Sequence, residues 1–247
     1  MKLALMSDLH GNRQATEAVW QFLLEQGFDQ LALLGDYVDY GADPAWVCDF
    51  VQARVAEGAV ALQGNHDEAM MGAGTQGMAD HVLPSLEWTR AQLSPTQRQW
   101  LASLPLTAQM GSVLLAHANT HRPAQWGYIM GRMDAATSLH ATTATHVFCG
   151  HMHDPQLYHL TPTGKTGDFT PVEEVPIPLS PARRWLAIVG SVGQPRDGNP
   201  AACCATFDTD SGALTFHRVP YDHAEAGRRI RAAGLPAFLA ERLMHGR

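Results

Sequence analysis

The chain has 247 residues, of which 45% are hydrophobic and 17% are charged, a balance typical of a folded globular protein and not of a disordered one. With 17 Lys and Arg against 24 Asp and Glu, the net charge is −7, which argues against bulk nucleic-acid binding. No apolar run is long enough for a membrane span or a signal peptide, so we expect a cytoplasmic protein without membrane association.

Apolar runs and helix-like segments alternate along the first third of the chain. Strands are predicted over 3–6, 31–34 and 59–62, and the helices between them cover 15–23 and the segment from Asp43-Pro44 to Gly58. Gly27 and Gly58 are the predicted helix ends. This alternation indicates a mainly parallel sheet with helices on both faces.

The remainder predicts two further helices and then a series of strands. The helices cover 84–93 and 94–104, the strands cover 113–116, 146–149, 185–189, 202–207 and 214–219, and a final helix closes the chain. Five prolines between 161 and 184 indicate irregular or edge structure. Because no repeat or linker is present, we predict one domain over 1–247. The four cysteines lack C-x-x-C spacing, which favours free thiols.

Polar residues follow five of the predicted strands. They are Asp8-Leu9-His10, Gly35-Asp36 with Asp39, Gly64-Asn65-His66-Asp67, His117, and Gly150-His151-Met152-His153. Sites in open α/β sheets form beyond the carboxyl ends of the strands. We therefore expect these five segments to converge on one crevice.

The converging residues include seven nitrogen or oxygen donors and no thiolate. They are Asp8, His10, Asp36, Asn65, His117, His151 and His153. Seven donors exceed a tetrahedral set, so two divalent ions fit better than one, with a carboxylate such as Asp36 bridging ions about 3.5 to 4 Å apart. Imidazole combined with carboxylate suits manganese, iron, zinc, cobalt or nickel.

The ordered set of motifs resembles the calcineurin-like metallophosphoesterase superfamily, and residues 190–198 resemble a bacterial branch of it related to diadenosine tetraphosphatases and protein phosphatases. The resemblance implies a four-layer α/β/β/α sandwich of two facing mixed sheets flanked by helices, with a binuclear metal site at the carboxyl ends of strands. One ion would take Asp8, His10, Asp36 and His153, and the other would take Asp36, Asn65, His117 and His151.

The same resemblance implies roles in catalysis. A hydroxide held between the ions would attack phosphorus, His66 would protonate the leaving oxygen, and Asp39 would orient His66. Eukaryotic-type protein phosphatases have Arg where this chain has Tyr40 and Glu where it has Asp67, so their phosphate clamp is not reproduced. Purple acid phosphatases have a tyrosine ligand where Asp39 stands, which argues against that class.

Further residues are candidates for binding a small phosphorylated substrate. We predict phosphate contacts from Asn12 and Arg196, a distal phosphate contact from Arg122, and nucleobase stacking on Trp126 or Tyr128. The alternative for Trp126 is packing beneath its loop. The alternative for Arg196 is a salt bridge to Asp197 or another surface acid. Phosphomonoesters, phosphodiesters, nucleotides and dinucleoside polyphosphates all remain open as substrates.

Residues 70–78 combine glycines with methionines and have two interpretations. They are either a lid over the substrate or a plain surface loop. For the whole chain, the interpretation that competes with an enzyme is a non-catalytic scaffold of the same fold that acts in protein–protein binding. A nuclease is disfavoured by the negative charge.

Overall fold

The computed structural model describes residues 1–72 and 82–247, and two six-stranded mixed sheets form its centre. The strands of the first sheet, from one edge to the other, are β3 (Val60–Ala61), β2 (Gln30–Leu33), β1 (Lys2–Met6), β11 (Ala202–Asp208), β12 (Ala213–Val219) and β9 (Ile177–Pro178). The pairs β1–β2 and β2–β3 are parallel, and the remaining pairs are antiparallel.

The second sheet has the same mixed character. Its strands, from edge to edge, are β4 (Thr107–Met110), β5 (Val113–Ala116), β6 (His146–Cys149), β10 (Arg184–Ile188), β7 (Gln156–Leu160) and β8 (Thr166–Phe169). Here β5, β6 and β10 are parallel neighbours. Each sheet therefore has one group of parallel strands whose carboxyl ends lie at the same edge.

Eight α-helices occur in the described part of the chain. They are α1 (Arg13–Gln26), α2 (Pro44–Ala56), α3 (Asn65–Ala69), α4 (Leu83–Gln92), α5 (Pro95–Ser103), α6 (Arg132–His140), α7 (His223–Ala232) and α8 (Ala237–His245). None of them is both long and apolar enough to cross a lipid bilayer.

Three apolar clusters define four layers. Alternate residues of β1 belong to different clusters, because successive strand side chains point to opposite faces. Leu3 and Leu5 pack between the sheets with Phe148 of the second sheet, whereas Ala4 and Met6 pack outward in the cluster that holds α1, α2, α7 and α8. A third cluster lies between α6 and the outer face of the second sheet. The predicted four-layer sandwich is confirmed.

Several elements differ from the sequence prediction. Helix α6 and the strands β4 and β7 were not expected, and the C-terminal segment forms two helices separated at Gly234-Leu235-Pro236. The edge structure expected between 161 and 184 is present as the edge strands β8 and β9. Helix α6 buries mainly small residues, Ala135, Ala136 and Ser138 beside Leu139, so it lacks the apolar stripe that predicts a helix. The lid hypothesis for 70–78 falls mostly on residues 73–78, which lie outside the described residues.

Candidate metal centre

The polar segments that follow β1, β2, β3, β5 and β6 meet at one edge of the two sheets. The N–H groups of Asp8 and His10 donate to the carbonyl oxygens of Gly35 and Asp36, both at 3.0 Å. The His151 N–H donates to the two oxygens of the Asp8 carboxylate at 3.2 and 3.0 Å. These bonds join the segments of the first sheet to one another and to the second sheet.

Two glycines are required by close approach at this edge. A Cβ at Gly64 would collide with the carboxylate and backbone of Asp36, and a Cβ at Gly150 would collide with Ser7 and the Asp8 carboxylate. The glycine that precedes Asn65 and the one that precedes His151 therefore let backbone and carboxylate come together.

Backbone strain is concentrated at the same edge. Nine non-glycine residues of the described chain have φ in the left-handed region, and eight of them lie in or against this site: Asp8, His10, Asp36, Asp39, Tyr40, Trp126, His151 and His153. Such residues cost about 1–3 kcal/mol each and persist only where the surrounding structure enforces them, commonly at functional sites.

The buried donors form two clusters. Asp8, His10 and His153 make one, Asp36, His117 and His151 make the other, and within each cluster the candidate ligand atoms lie within 4.8 Å of one another. Asp36 also faces the first cluster, because its Oδ2 lies 3.8 Å from His10 Nε2 and 3.2 Å from His117 Nε2. Asp36 thus lies between the two clusters.

In the first cluster, hydrogen bonds fix the histidine tautomers. His10 Nδ1 donates to Val38 O at 3.1 Å and His153 Nδ1 donates to Gln194 O at 2.6 Å. Because carbonyl oxygens only accept, both protons are on Nδ1. The two Nε2 atoms lie 3.1 Å apart, and His153 Nε2 is 3.3 Å from Asp8 Oδ1. Three electron-rich atoms thus converge with no proton among them, which is an arrangement that a cation stabilises.

The second cluster is built in the same way. His117 Nδ1 donates to Leu34 O at 2.8 Å, and its Nε2 lies 3.2 Å from both Asn65 Oδ1 and Asp36 Oδ2. His151 is reversed: its Nε2 donates to the Trp126 carbonyl at 3.0 Å, which leaves Nδ1 as the atom with a free lone pair. Outer hydrogen bonds of this kind orient histidine ligands in metal sites.

Burial and mutual charge set the protonation of the donors. Burial lowers the pKa of His151 to about 3 and lowers that of His10 and His153 well below 6.5, so these imidazoles are neutral. Burial also raises the pKa of Asp8 to about 6. For His117 burial acts downward, but the charge of Asp36 outweighs it and raises the pKa to about 9. A cation in the second cluster would replace that proton.

These residues fit a pair of divalent cations. The donor set is imidazole, carboxylate and amide oxygen, each histidine has its second nitrogen bonded to a backbone carbonyl, and Asp36 faces both clusters. Such a set suits first-row transition metals. The two clusters can hold the dinuclear site that the sequence motifs predict.

His66 lies beside the clusters and forms a dyad with Asp39. Its Nδ1 donates to Asp39 Oδ2 at 2.7 Å, and its Nε2 lies 3.3 Å from the Tyr40 hydroxyl and 4.0 Å from Asp36 Oδ2. Burial acts to lower the pKa of His66, but the charge of Asp36 and the hydrogen bond that His66 donates to Asp39 outweigh it and raise the pKa. His66 therefore favours the protonated form more than an ordinary histidine does.

Arg196 supplies a positive charge at the same edge. Its Nε and Nη2 donate to Gln194 Oε1 at 3.2 and 2.8 Å, and its guanidinium carbon lies 5.8 Å from the centre of the Tyr40 ring. The neighbouring Asp197 pairs with Arg218. Within residues 1–72 and 82–247, Arg196 makes no ion pair with a carboxylate.

Asn12, predicted to contact phosphate, caps helix α1. Its Oδ1 accepts from Ala15 N at the start of α1, and its Nδ2 donates to Gly193 O at 2.8 Å and to the Tyr221 hydroxyl at 3.2 Å. Both N–H groups of the buried amide are thus used within the protein, and the phosphate contact stays a prediction.

The segment after His117 passes over the second cluster. Tyr128 is 58% exposed and its ring stacks on His151 with centroids 4.3 Å apart. The Trp126 indole donates to Glu68 Oε2 at 2.7 Å, and Arg122 is exposed. Arg122 and Tyr128 line a cavity of about 290 Å³ together with Asn119, His121, Gln125, Gly127, Asp134, Thr137 and Ser138.

Three contributors to the site were not expected from sequence. The Gln194 side chain and carbonyl hold Arg196 and His153. Asp67 accepts three backbone N–H groups, from Asp36, Tyr37 and Gly64, at 2.8 to 2.9 Å. Glu68 binds Trp126. Asp67 lies in a recognised motif and Gln194 lies in the segment 190–198, but no local pattern indicates the long-range contacts of Gln194 and Glu68.

Comparisons with known proteins agree with this geometry. The family model described as "Calcineurin-like phosphoesterase superfamily domain" matches residues 1–212. The chain is 29% identical over 250 residues to the uncharacterized protein MJ0912 of Methanocaldococcus jannaschii, covering 99% of this chain and 98% of that protein. It is 35% identical over 74 residues to the phosphodiesterase YfcE of Escherichia coli, which covers 27% of this chain and 40% of that one.

Similarity to solved structures extends over the whole length, as one example shows. The example is the crystal structure of a metallophosphoesterase from Sphaerobacter thermophilus, with a TM-score of 0.86, 32% identity and coverage of 100% of both chains. The similarity therefore includes the C-terminal helices α7 and α8, which lie beyond the residues that the family model matches.

Proposed function

Because the chain belongs to the calcineurin-like phosphoesterase superfamily, we propose that it hydrolyses small phosphomonoesters or phosphodiesters at the edge that holds the two clusters. Asp8, His10 and His153 would bind one divalent ion, Asn65, His117 and His151 would bind the other, and Asp36, which faces both clusters, would serve both. The observation that carries the proposal is the convergence of carboxylate, imidazole and amide donors on two adjoining points, with the His66–Asp39 dyad beside them.

Two bound cations supply positive charge against the transferring phosphoryl group and lower the pKa of water. In the hydrolysis, a water oxygen forms a bond to phosphorus and gives up a proton to solvent. The bond from phosphorus to the leaving oxygen breaks, and its electron pair stays on that oxygen. His66 Nε2 then gives its proton to the leaving oxygen, while Asp39 holds Nδ1 and stabilises the imidazolium.

Arg196 is the proposed contact for the substrate phosphate. Gln194 orients its guanidinium without neutralising it, so the charge and the remaining N–H groups are available to a phosphate oxygen. Arg196 would thus take the role of the arginine that eukaryotic-type protein phosphatases have at the position of Tyr40. The Tyr40 ring instead lies against Arg196 and against His10, at 4.6 Å between the Tyr40 and His10 centroids.

The cavity beside the second cluster is the proposed place for the rest of the substrate. Tyr128 presents an exposed ring on which a nucleobase can stack, and Arg122 offers a charge to a distal phosphate. Trp126 is tied to Glu68 and His151, which favours packing over base stacking for that residue. The hypothesis of a nucleotide substrate therefore depends on Tyr128 and Arg122.

The test is a substrate panel with metal-reconstituted protein, scored by kcat/KM. We expect hydrolysis of at least one aryl phosphate or aryl phosphodiester, its loss on chelation, and its return with manganese or zinc. Asp36→Asn is the key variant: it weakens the carboxylate that faces both clusters, so bound metal and activity should fall together. The exposed Asp49→Asn is the matched control. Unchanged metal content in Asp36→Asn protein would overturn the assignment.

A further inference from the structure

We propose that Glu68 is a positioning residue that acts through Trp126 to fix His151 as a metal ligand. This inference rests on the proposed function and deepens it. The chain of contacts is short: the indole Nε1 of Trp126 donates to Glu68 Oε2 at 2.7 Å, and the carbonyl oxygen of Trp126 accepts from His151 Nε2 at 3.0 Å. Glu68 and His151 do not need to touch for this coupling.

The His151 bond decides which nitrogen faces the second cluster. With its proton on Nε2, His151 keeps the lone pair of Nδ1 free, and its ring belongs to the cluster with Asp36 and His117. If the Trp126 carbonyl moved away, His151 would be free to place the proton on either nitrogen and to rotate. The position of the Trp126 carbonyl therefore controls whether His151 presents an unprotonated nitrogen to a metal ion.

That carbonyl is held in an unfavourable backbone conformation. Trp126 has φ of 53° and ψ of 32° at the end of a single 3-10 turn, Pro123–Gln125. A non-glycine residue in this region costs free energy and needs an external constraint. The Glu68 carboxylate provides one, because it anchors the indole and so fixes the rotation of the whole residue. The Trp126 ring also lies edge-on to His117, with centroids 5.8 Å apart.

Glu68 is well placed to be the anchor. It belongs to α3, the same five-residue helix that begins with Asn65 and His66. That helix is itself fixed, because Asp67 accepts the N–H groups of Gly64, Asp36 and Tyr37. The loop over the second cluster is thus tied to the element that carries the proposed general acid and a proposed ligand.

The experiment measures metal binding directly. Mn²⁺ is titrated calorimetrically into metal-free wild type, Glu68→Ala and Glu68→Gln, and spin coupling between two bound Mn²⁺ ions is followed by electron paramagnetic resonance. In Glu68→Ala we expect one binding event to weaken about tenfold to a hundredfold, as is usual for a lost outer hydrogen bond to a ligand. The coupled signal should then appear only at higher Mn²⁺.

Two variants separate positioning from charge and from folding. Glu68→Gln keeps an acceptor oxygen for the indole and should restore most of the affinity, whereas Trp126→Phe removes the donor and should reproduce the Glu68→Ala defect. Combining Glu68→Ala with Trp126→Phe should add nothing further, since both break one contact. Glu87→Ala, at an exposed glutamate of α4, is the matched control and should bind Mn²⁺ like wild type.

The outcomes are distinguishable. Equal Mn²⁺ affinity in Glu68→Ala and wild type, or a Glu68→Gln defect as large as that of Glu68→Ala, would overturn the positioning role and leave the proposed function standing. Wild type that binds fewer than two Mn²⁺ ions and hydrolyses no phosphoester would overturn the proposed function and this inference with it.

Discussion

At the scale of single residues, the site is defined by which ring nitrogen of each histidine is bonded to the backbone. Four histidines each give one ring nitrogen to a backbone carbonyl, namely those of Val38, Leu34, Gln194 and Trp126. The second ring nitrogen is then left facing a carboxylate or another imidazole. In these residues the neighbouring backbone, not the histidine itself, selects the ligating atom.

His66 should behave differently from the seven metal-binding candidates. It touches Asp39 and Tyr40 and lies at the margin of both clusters, so His66→Ala should retain both ions while losing about 10²- to 10⁴-fold in kcat. The loss should be smaller for a nitrophenyl ester than for an alkyl ester, because nitrophenolate leaves without a proton.

The measurement is kcat for the two esters together with the metal content of the variant. His140→Ala, at an exposed position, is the control. An equal loss for both esters, or a loss of metal from His66→Ala, would argue against the acid role.

The predicted site residues could be listed from sequence because metal-binding side chains follow strand ends in short motifs. The residues that form hydrogen bonds to them could not be predicted in this way. The contact of Gln194 with His153 has no local signal, and neither do the bonds from the Asn12 amide to Gly193 and Tyr221. Hydrogen bonds between residues far apart in the chain are decided by tertiary packing.

At the scale of elements, Asp67 connects the turn after β2 to the start of α3. Its buried carboxylate accepts three backbone N–H groups, although burial raises its pKa to about 7. Removing it would leave those N–H groups without an acceptor in a water-free place. The two connections that carry Asp36 and Asn65 would then lose their common anchor.

We therefore expect Asp67→Ala to lower the free energy of unfolding by at least about 2 kcal/mol, the usual effect of losing buried hydrogen bonds to a charged group. Denaturant unfolding of the metal-free protein measures this. Asp49→Ala, at an exposed carboxylate of α2, should change stability far less. A stability loss in Asp67→Ala no larger than in Asp49→Ala would show that water or a neighbour replaces the carboxylate.

The elements that periodicity predicted are those with a broad apolar face or a clear cap. Helix α5 is an example, since Ser94 and Gln97 form a reciprocal capping box at its start. Helix α6 has no side-chain cap and buries small residues, and β8 is an edge strand of partly exposed residues. Such elements are stabilised mostly by their neighbours, so their own sequence carries little signal.

At the scale of the whole molecule, the order of the strands could not be predicted from local sequence patterns. Alternating strands and helices predict a parallel sheet, yet β1 also pairs antiparallel with β11, which lies near the far end of the chain, with Leu3 opposite Phe207. The two-sheet arrangement was expected only through the family resemblance. The assignment of 1–247 to one domain stays a prediction.

Metal removal tests that assignment and the site together. The proposed ligands come from both sheets, so bound ions should stabilise the sheets jointly, by about 4 kcal/mol per ion when free metal exceeds Kd a thousandfold. Calorimetry should show one unfolding transition with metal and a lower Tm after chelation, and Asp36→Asn should respond much less to the chelator. Two separate transitions would contradict a single domain, and a Tm unaffected by chelation would contradict a shared metal centre.

Residues with a left-handed backbone conformation lie around the candidate metal centre. Selection for thermal stability and selection for turnover should act on them in opposite directions. Glycine at Asp39 would relieve a steric cost of the order of 1–3 kcal/mol and remove a buried carboxylate whose Oδ1 has no hydrogen-bond partner among the described residues, but it would delete the group that holds His66. A library selected only for folding should therefore accumulate glycine at this position, while a library selected for hydrolysis should keep aspartate.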